Sequence, residues 1–221
     1  MTERETPSVD GLVIGILGGT GDQGRGLARR FALAGHQVII GSRSSERAAA
    51  AQEIGHGVQG LANADAARGA SVIIAAVPWE GHGDLLSALA GELAGKIVVD
   101  CVNPLGFDQR GAYALPVAEG SAAQQAAALL PGSRVVAAFH HVSAVLLLDP
   151  EVDTIDLDVL VLGDDREATD LVQALAARIP GVRGIYAGRL RNCGQIEALT
   201  ANLVSINRRY KAHAGLRVTD I

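Results

Sequence analysis

A glycine-rich turn between an apolar segment and a helix-prone segment constrains this chain most. Residues 12–17 are apolar and of strand length, and residues 25–34 favour a helix. Between them, Gly19, Gly21 and Gly24 fit the pattern G-x-G-x-x-G. The first glycine permits a tight turn, the second lets a pyrophosphate approach the backbone, and the third allows close helix packing. The turn therefore predicts a dinucleotide site on a helix N-terminus, against the alternative of a tight turn that binds nothing.

Apolar segments of strand length alternate with helix-prone segments along the rest of the chain. Aromatic residues make up only 3% of the sequence, so Ala, Val, Leu and Ile must form the core, as they do in buried parallel strands. We predict an α/β fold with a Rossmann-type, doubly wound, mostly parallel sheet and a small C-terminal helical portion. The predicted strands are residues 12–17, 37–41, 58–61, 71–77, 96–101, 134–139, 159–163 and 182–187.

Three segments follow from this pattern. Residues 1–10 are predicted to be a flexible leader with nothing apolar to bury. Residues 11–143 are predicted to form the dinucleotide-binding domain, and residues 144–221 a smaller C-terminal portion. Within these segments, residues 107–116 are predicted to form a loop and residues 146–158 to be irregular.

The last long helix is predicted over residues 191–211 and carries an apolar stripe. Its members lie at helical spacing and are Ile196, Leu199, Leu203 and Ile206. Such a stripe indicates either a homodimer contact or packing on the chain's own sheet.

Charge and cysteine content limit the class of protein. The net charge of −5 argues against nucleic-acid binding. The two cysteines lack a metal-binding spacing, and no apolar signal core or membrane span is present, so we expect a cytoplasmic protein without a metal. From Gly181 onward the chain has seven basic and two acidic residues. This basic segment indicates an anionic ligand, an oligomer contact or ordinary helix-surface charge.

The junction after the second predicted strand indicates which dinucleotide binds. NAD sites place an acidic residue here for the ribose 2′-hydroxyl. This chain has Gly41-Ser42-Arg43 instead. Serine donates hydrogen bonds to phosphate, and the guanidinium fork of arginine matches phosphate oxygens. We therefore predict NADP, with its 2′-phosphate held by Ser42, Arg43 and Arg47; the alternative for Arg47 is a solvated helix charge.

Polar and aromatic side chains follow the other predicted strands, at the edge where open α/β sheets bind ligands. Trp79, after Pro78, could pack beside a nicotinamide or anchor the core. Asn103 could bond a cofactor or serve a turn. His140 and His141 are candidates for hydrogen bonding or proton exchange, against the alternative of a satisfied buried pair. Glu80 and His82 are predicted to be surface or helix-capping groups.

These motifs together resemble the F420-dependent NADP oxidoreductase family over nearly the whole chain from Val13. The matching segments are Gly18–Gly24, Gly41–Arg43 with Arg47, Val77–Glu80, Phe139–Ser143 and Leu199-Thr200. The resemblance implies a Rossmann-type domain, a C-terminal portion that helps form a dimer, and hydride exchange between NADPH and the deazaflavin coenzyme F420, with neither metal nor flavin.

The resemblance also implies roles for individual residues. It places Thr20, Asp22 and Gln23 in the phosphate loop and Val77 beside the nicotinamide ribose. It places His140 and Val142 between the two cofactors and Thr200 on the deazaflavin side.

Two hypotheses and two alternatives accompany this interpretation. We hypothesise that His140 or His141 bonds the deazaflavin edge, and that the basic segment, through Arg208 and Arg209, binds the phosphate and glutamate tail of F420. The alternatives are another NADPH-dependent reductase, acting on an imine, keto acid, ferric or flavin acceptor, and a non-catalytic NADPH-sensing protein.

Overall fold

An eight-stranded sheet runs through the computed structural model, which describes residues 7–221. The strands are β1 (Val13–Leu17), β2 (Gln37–Ser42), β3 (Val58–Ala62), β4 (Val72–Ala75), β5 (Ile97–Asp100), β6 (Leu105–Asp108), β7 (Gly111–Ala114), β8 (Arg134–Ala137), β9 (Leu157–Gly163) and β10 (Val182–Gly188). The sheet order is β10-β9-β8-β5-β4-β1-β2-β3, and β6 and β7 form a separate antiparallel pair. The predicted α/β fold with a doubly wound sheet is confirmed.

Helices cover both faces of this sheet. They are α1 (Asp22–Leu33), α2 (Ser45–Ala49), α3 (Asn63–Gly69), α4 (His82–Ala88), α5 (Ala90–Leu93), α6 (Ala122–Leu129), α7 (Ala144–Leu148), α8 (Arg166–Ala176) and α9 (Cys193–Tyr210). Short 3₁₀ helices lie at Ala50–Ile54, Trp79–Gly81 and Leu190–Asn192. Side chains cap two of these helices: Ser121 Oγ accepts the N–H of Gln124 at 3.0 Å at the start of α6, and Asp165 Oδ1 accepts that of Ala168 at 2.8 Å at the start of α8.

The direction of the strands decides which residues meet at one edge. Neighbouring strands are parallel except β8 and β9, which are antiparallel. The carboxyl ends of β1, β4, β5 and β8 therefore share an edge. Because β9 runs the opposite way, its first residues, Leu157 and Asp158, lie at that same edge.

Side chains alternate between two apolar clusters, one on each face of the sheet. Ile14 and Ile16 belong to one cluster, and Leu17 and Ile73 belong to the other. All four are fully buried. Strands covered on both faces appear in sequence as continuous apolar segments, which is why the sequence indicated a parallel sheet.

The predicted loop over residues 107–116 is wrong, because β6 and β7 form a hairpin there. Asp108 Oδ1 accepts the N–H groups of Arg110 and Gly111 at 2.7 and 3.1 Å, which closes the turn. The two strands have only four residues each, and Phe107 is 70% exposed. Such short, half-exposed strands carry little apolar alternation for a sequence pattern to detect.

The prediction of an irregular segment over residues 146–158 is also partly wrong, since α7 ends and β9 begins within it. A buried arginine organises this segment. Arg30, only 4% exposed, donates from Nη2 to the carbonyl of Leu146 at 2.6 Å and from Nε to that of Leu147 at 2.9 Å. Cations at a helix C-terminus satisfy its unpaired carbonyls. This long-range contact leaves no periodicity in the segment's own sequence.

The structure differs from the predicted segments near both ends of the chain. Residues 1–6 of the predicted leader lie outside the described residues. Val9 is 4% exposed and packs into the core, so the prediction of a leader with nothing apolar to bury is wrong at that position. Strands β9 and β10, within residues 144–221, extend the main sheet. Among residues 7–221, no helix combines the length and apolar character needed to cross a membrane.

Candidate active site

The glycine-rich turn after β1 is shaped by close backbone contacts. Gly18 has a φ of +67°, and a Cβ built there would lie 2.2 Å from Val77 Cγ1. The left-handed residue is therefore Gly18, whereas Gly19 lacks space for a side chain beside the carbonyl of Ile16 at 2.9 Å. A Cβ on Gly24 would lie 2.5 Å from Gly19 Cα. The prediction that Gly24 permits close helix packing is confirmed.

Gly21 differs from these glycines because it faces open space. It is exposed, and a Cβ there would meet no atom within 4 Å. Gly21 is also the N-cap of α1, whose first residue is the exposed Asp22. The turn therefore presents backbone and a helix N-terminus to any phosphate that approaches.

Gln23 connects this turn to the distant end of β8. Its Nε2 donates to the carbonyl of Phe139 at 3.2 Å, across 116 residues of sequence. Phe139 has a left-handed backbone with a φ of 64° and is fully buried. A strained backbone at a strand end often accompanies a functional site. One amide N–H of Gln23 thus binds the protein itself and links the glycine-rich turn to the end of β8.

The predicted 2′-phosphate site lies at the end of β2, next to a cavity. Ser42 is 7% exposed, and its Oγ accepts the N–H of Ser44 at 3.1 Å. Ser44 Oγ in turn accepts the N–H of Arg47 at 3.4 Å and so caps the start of α2. Arg43 and Arg47 are exposed. The cavity has a volume of about 280 Å³ and is lined by Gly19, Thr20, Arg25, Ile40, Arg47, Ala50, Glu53 and Ile54.

Ion pairing decides whether the arginines of this region are available to an anion. Among the side chains that the structure describes, no ion pair involves Arg25, Arg43 or Arg47. Arginines without a carboxylate partner are available to a phosphate.

Three predicted residues from separate elements meet at the carboxyl edge of the sheet. Asn103 Nδ2 donates to the carbonyl of His140 at 2.8 Å. Thr200 Oγ1, from α9, lies 3.3 Å from Asn103 Oδ1 and 3.4 Å from the same His140 carbonyl. The tips of β5 and β8 are thereby joined to α9.

The two histidines at the tip of β8 have different surroundings. His140 is 4% exposed, and neither ring nitrogen has a hydrogen-bond partner. Burial lowers the pKa of His140 to about 4, so its ring is neutral at neutral pH. His141 Nε2 donates to the carbonyl of Asp158 at 2.8 Å, and burial lowers its pKa as well. Both ring nitrogens of His140 are therefore without a partner, whereas His141 leaves only its Nδ1 unpartnered.

The tip of β4 completes this edge. Val77 is half-buried, and its Cγ1 occupies the space that a side chain on Gly18 would need. Pro78 is exposed, and Trp79 is half-buried in a 3₁₀ turn. Val142 is 4% exposed and joins the core cluster. Val142 thus contributes apolar packing at this edge.

Comparison with known proteins identifies the family to which this chain belongs. The family model described as NADP oxidoreductase, coenzyme F420-dependent, matches residues 13–104. The F420-dependent NADP reductase of Methanothermobacter marburgensis is 41% identical over an alignment of 223 positions, which covers 95% of this chain and 99% of the relative. That of Methanocaldococcus jannaschii is 39% identical over the same shares of both chains. The chain belongs to the F420-dependent NADP reductases.

A solved structure agrees with this family. The crystal structure provisionally described as an F420-dependent NADP reductase of Arthrobacter sp. FB24 is 28% identical, with a TM-score of 0.83. The match covers 95% of this chain and 100% of that one. The similarity to the reductases therefore includes α9 and the strands that precede it.

Sequence reasoning missed Arg25, which lines the cavity beside the glycine turn. A signal was available, because Arg25 directly follows Gly24 and is exposed on the first turn of α1. Glu53 was also missed, and it adds a carboxylate to the same cavity. Its position in a short 3₁₀ helix gave no periodicity that would predict its direction.

The prediction that His82 is a surface or capping group is wrong, because His82 is fully buried in this reductase. Its Nε2 lies 2.5 Å from Asp100 Oδ2, and its Nδ1 lies 3.0 Å from Gln125 Oε1. Asp100 is the last residue of β5 and is also fully buried. The two residues lie 18 positions apart, a spacing that carries no local signal.

Two of the seven basic residues in the C-terminal segment, Arg183 and Arg217, bind a buried carboxylate of the same chain. Asp158, fully buried, accepts hydrogen bonds from Arg183 at 2.7 Å, Arg217 at 2.8 Å and the N–H of Val218 at 2.6 Å. The Arg183 guanidinium holds the pKa of Asp158 well below its usual range. Arg183 and Arg217 are therefore structural, whereas Arg208 and Arg209 line a separate cleft.

Proposed function

We propose that this protein transfers a hydride between NADP(H) and the deazaflavin coenzyme F420. The observation that carries the proposal is the cationic turn after β2, in a chain that belongs to the F420-dependent NADP reductases. Arg43 and Arg47 replace the acidic residue that would favour NAD. They face solvent with no acidic partner among the described side chains, so a 2′-phosphate is the anion that they are suited to bind.

The residues at the carboxyl edge fit the two cofactors. Gly21 leaves open space over the N-terminus of α1 for a pyrophosphate, in the loop formed with Gly19, Thr20, Asp22, Gln23 and Gly24. His140 has two buried ring nitrogens without a partner, which a ligand could satisfy. When bound, NADPH supplies the hydride and F420 accepts it; the protein's task is to orient the rings and exclude water.

We propose that Val77, Pro78, Trp79 and Asn103 bound the nicotinamide side, and that His140, Val142 and Thr200 face the deazaflavin. His140 is neutral, so it acts as a hydrogen-bonding group. His141 is already bonded to the Asp158 carbonyl and supports the backbone of this tip. The hydride would move between two ring carbons without an ionised acid beside them. The one proton that reduction of F420 also takes up would go to the deazaflavin ring away from these carbons and would come from solvent.

An assay of NADPH oxidation with and without F420 tests this function. Turnover that requires F420 is the expected result. Turnover with an imine, a keto acid, a ferric salt or a free flavin instead would favour another reductase activity. Binding of NADPH without turnover of any of these acceptors would favour an NADPH sensor.

We further propose that the F420 tail lies in the cleft between the β6–β7 hairpin and α9. Thr200, Val204 and Arg208 are four residues apart in turn, so they share one face of α9 that leads from the Asn103 contact outward. The cleft is lined by Phe107, Asp108, Arg110, Gly111, Ala112, Val204, Ser205, Arg208 and Arg209. Arginines suit a phosphate and glutamate carboxylates. Reversing both Arg208 and Arg209 to Glu should weaken F420 binding far more than NADPH binding; equal losses would contradict this role.

We also propose a homodimer that uses the opposite face of α9. Leu203 of the predicted stripe is 5% exposed and packs in its own chain, but Ile206 is 40% and Tyr210 73% exposed. At 100° per residue, Ile206 and Tyr210 point away from Val204 and Arg208. Analytical ultracentrifugation should give a dimer, and Ile206→Glu with Tyr210→Glu should give a monomer. A monomeric wild-type protein would exclude the dimer.

Two remaining assignments are part of the same proposal. The division into a dinucleotide-binding domain over residues 11–143 and an F420-side portion over residues 144–221 follows the cofactor contacts, since Thr200 and the α9 cleft lie in the second part. A cytoplasmic location is supported by two buried cysteines, Cys101 and Cys193, that remain free thiols.

A further inference from the structure

A buried carboxylate lies directly beneath two of the strand tips that form the site. Asp100 Oδ2 lies 2.5 Å from His82 Nε2, and Asp100 Oδ1 accepts the N–H of Val102 at 3.0 Å. Val102 immediately precedes Asn103, and His82 comes three residues after Trp79. One side chain thus contacts both the segment that leads to Asn103 and the segment that contains Trp79.

The second ring nitrogen of His82 indicates that the ring is protonated. His82 Nδ1 lies 3.0 Å from Gln125 Oε1, an atom that has no hydrogen to donate. Gln125 Nε2 donates to the Glu119 carboxylate at 3.4 Å, and the reversed amide would point its oxygen at that carboxylate. Both ring nitrogens of His82 therefore donate, which only the imidazolium can do. Burial opposes this charge, but the hydrogen bond and the charge of Asp100 outweigh it and raise the pKa of His82.

Trp79 packs on this charged ring. The ring centroids of Trp79 and His82 are 5.6 Å apart, and the ring planes are tilted by 32°. A cation near the face of an indole is attracted to it, and the attraction is stronger when both groups are removed from water. The acidic groups that influence His82 are Asp100 from β5 and Glu197 from α9, with Glu119 acting through Gln125. His140 at the tip of β8 is the nearby neutral histidine.

We propose that Asp100 and His82 are positioning residues for hydride transfer: their buried ion pair holds Trp79 at the tip of β4 and Asn103 at the tip of β5 in one fixed relation. The inference rests on the proposed function, because these two tips bound the proposed nicotinamide site. Neither residue touches the proposed cofactors; each acts through Trp79 or through the backbone before Asn103.

Tryptophan emission tests the ion pair, since Trp79 is the only tryptophan in the chain. A protonated imidazole in contact with indole quenches its emission. In the ligand-free protein, emission should rise with pH, with a midpoint above the ordinary histidine pKa of 6.5. Asp100→Asn should move this midpoint to lower pH, and His82→Gln should abolish the step. His56→Gln, a substitution at an exposed histidine, is the control and should leave the curve unchanged.

A surface variant keeps the test valid if the core variants fail to fold. Glu119 is exposed, and Glu119→Gln removes the carboxylate that orients the Gln125 amide. The amide can then reverse and bond a neutral His82, so the emission midpoint should fall. A wild-type curve without a step, or an unchanged midpoint in both Glu119→Gln and Asp100→Asn, would overturn the ion pair.

Kinetics test whether the pair positions Trp79. His82→Gln should raise the KM for NADPH by about 2- to 30-fold, the loss expected from one cation–π contact, with a smaller change in kcat. An unchanged KM with the expected loss of the emission step would overturn the positioning role. Absence of F420-dependent turnover in the wild type would instead contradict the proposed function, and the emission titration would be unaffected by it.

Discussion

The two halves of the site use polar groups in opposite ways. The phosphate half, residues 18–54, presents Arg43 and Arg47 to solvent beside an open cavity. The hydride half consists of the tips of β4, β5 and β8 with Thr200, and its polar groups are enclosed. Asp100 and His82 are fully buried there, and the Asn103, His140 and Thr200 contacts join positions 37 to 97 residues apart.

This difference follows from what each half must do. An exposed guanidinium is hydrated when no ligand is bound, so the phosphate half needs no internal partners. A buried polar group without a partner costs about 1–3 kcal/mol, so the hydride half must satisfy its groups within the protein. The exceptions among the described residues of this half are the adjacent His140, with two unpartnered ring nitrogens, and His141, with an unpartnered Nδ1, and they indicate where a ligand is expected.

The strongest test of the phosphate half is the double substitution Arg43→Ala with Arg47→Ala. Each charge-assisted hydrogen bond contributes about 1.5–3 kcal/mol, so the preference for NADPH over NADH should fall by about 10²- to 10⁴-fold. Calorimetric titration with both dinucleotides measures this ratio. Arg166→Ala, an exposed arginine on α8, is the matched control and should change neither affinity. Equal binding of NADH and NADPH by the wild type would refute the assignment.

The matching test of the hydride half is His140→Ala. It should lower kcat by about 10- to 100-fold while leaving NADPH affinity nearly unchanged, because a hydrogen-bonding group at the reaction centre is lost. His141→Ala should have a smaller effect, since that ring is already bonded to the Asp158 carbonyl. Because the pKa of His140 is about 4, its titration should produce no inflection in kcat near neutral pH. Unaltered turnover in both variants would remove the histidines from the site.

The same contrast explains how far the sequence could predict this molecule. The phosphate half is local: Gly24 packs on Gly19, and Ser44 caps the helix that carries Arg47. These contacts join residues that are close in the sequence, so the glycine spacing and the capping serine are enough to predict them. The prediction that the first motif glycine provides the tight turn was less accurate, since the left-handed residue is Gly18.

The hydride half was only partly predictable. Strand ends indicated Asn103, His140 and His141, because parallel strands bring their carboxyl ends to one edge. Nothing in the sequence indicated that His82 would turn inward to meet Asp100, since that contact joins the start of α4 to the end of β5, 18 residues away. The hairpin at residues 105–114 was missed for a similar reason, as it is stabilised against α9 and has little apolar periodicity of its own.

Two glycines in the phosphate half can separate ligand binding from folding. Gly24→Ala places a Cβ 2.5 Å from Gly19 Cα, and such overpacking should lower the free energy of unfolding by about 1–3 kcal/mol. Gly21→Ala meets no atom within 4 Å, but alanine is a poorer N-cap than glycine, so this change should cost less stability than Gly24→Ala, at most about 1 kcal/mol, and should weaken NADPH binding. Urea denaturation and calorimetry measure the two effects. A Gly21→Ala protein as unstable as Gly24→Ala, or one that binds NADPH normally, would contradict the open approach that we assign to this glycine.

The smallest expected effect is that of substituting Glu197, a residue of α9 on the side of the hydride half. Glu197 is 2% exposed and accepts the N–H groups of Ala122 and Ala123 at 2.9 and 3.2 Å. Burial raises the pKa of Glu197 to about 7, above the ordinary value of 4.5. A raised carboxyl pKa stabilises the fold fully below pH 4.5, and this stabilisation is lost as the pH rises through about 7.

Glu197→Gln replaces this group with a neutral amide that does not titrate. Relative to the wild type, the free energy of unfolding of the variant should therefore rise by about 2 kcal/mol between pH 5 and pH 8. Urea denaturation at the two pH values measures it. Glu167→Gln, on the exposed side of α8, should show no such pH-dependent difference. If Glu197→Gln and the wild type lose stability in parallel over this range, the carboxylate is charged throughout, and the hydride half tolerates a buried anion at the start of α6 without penalty.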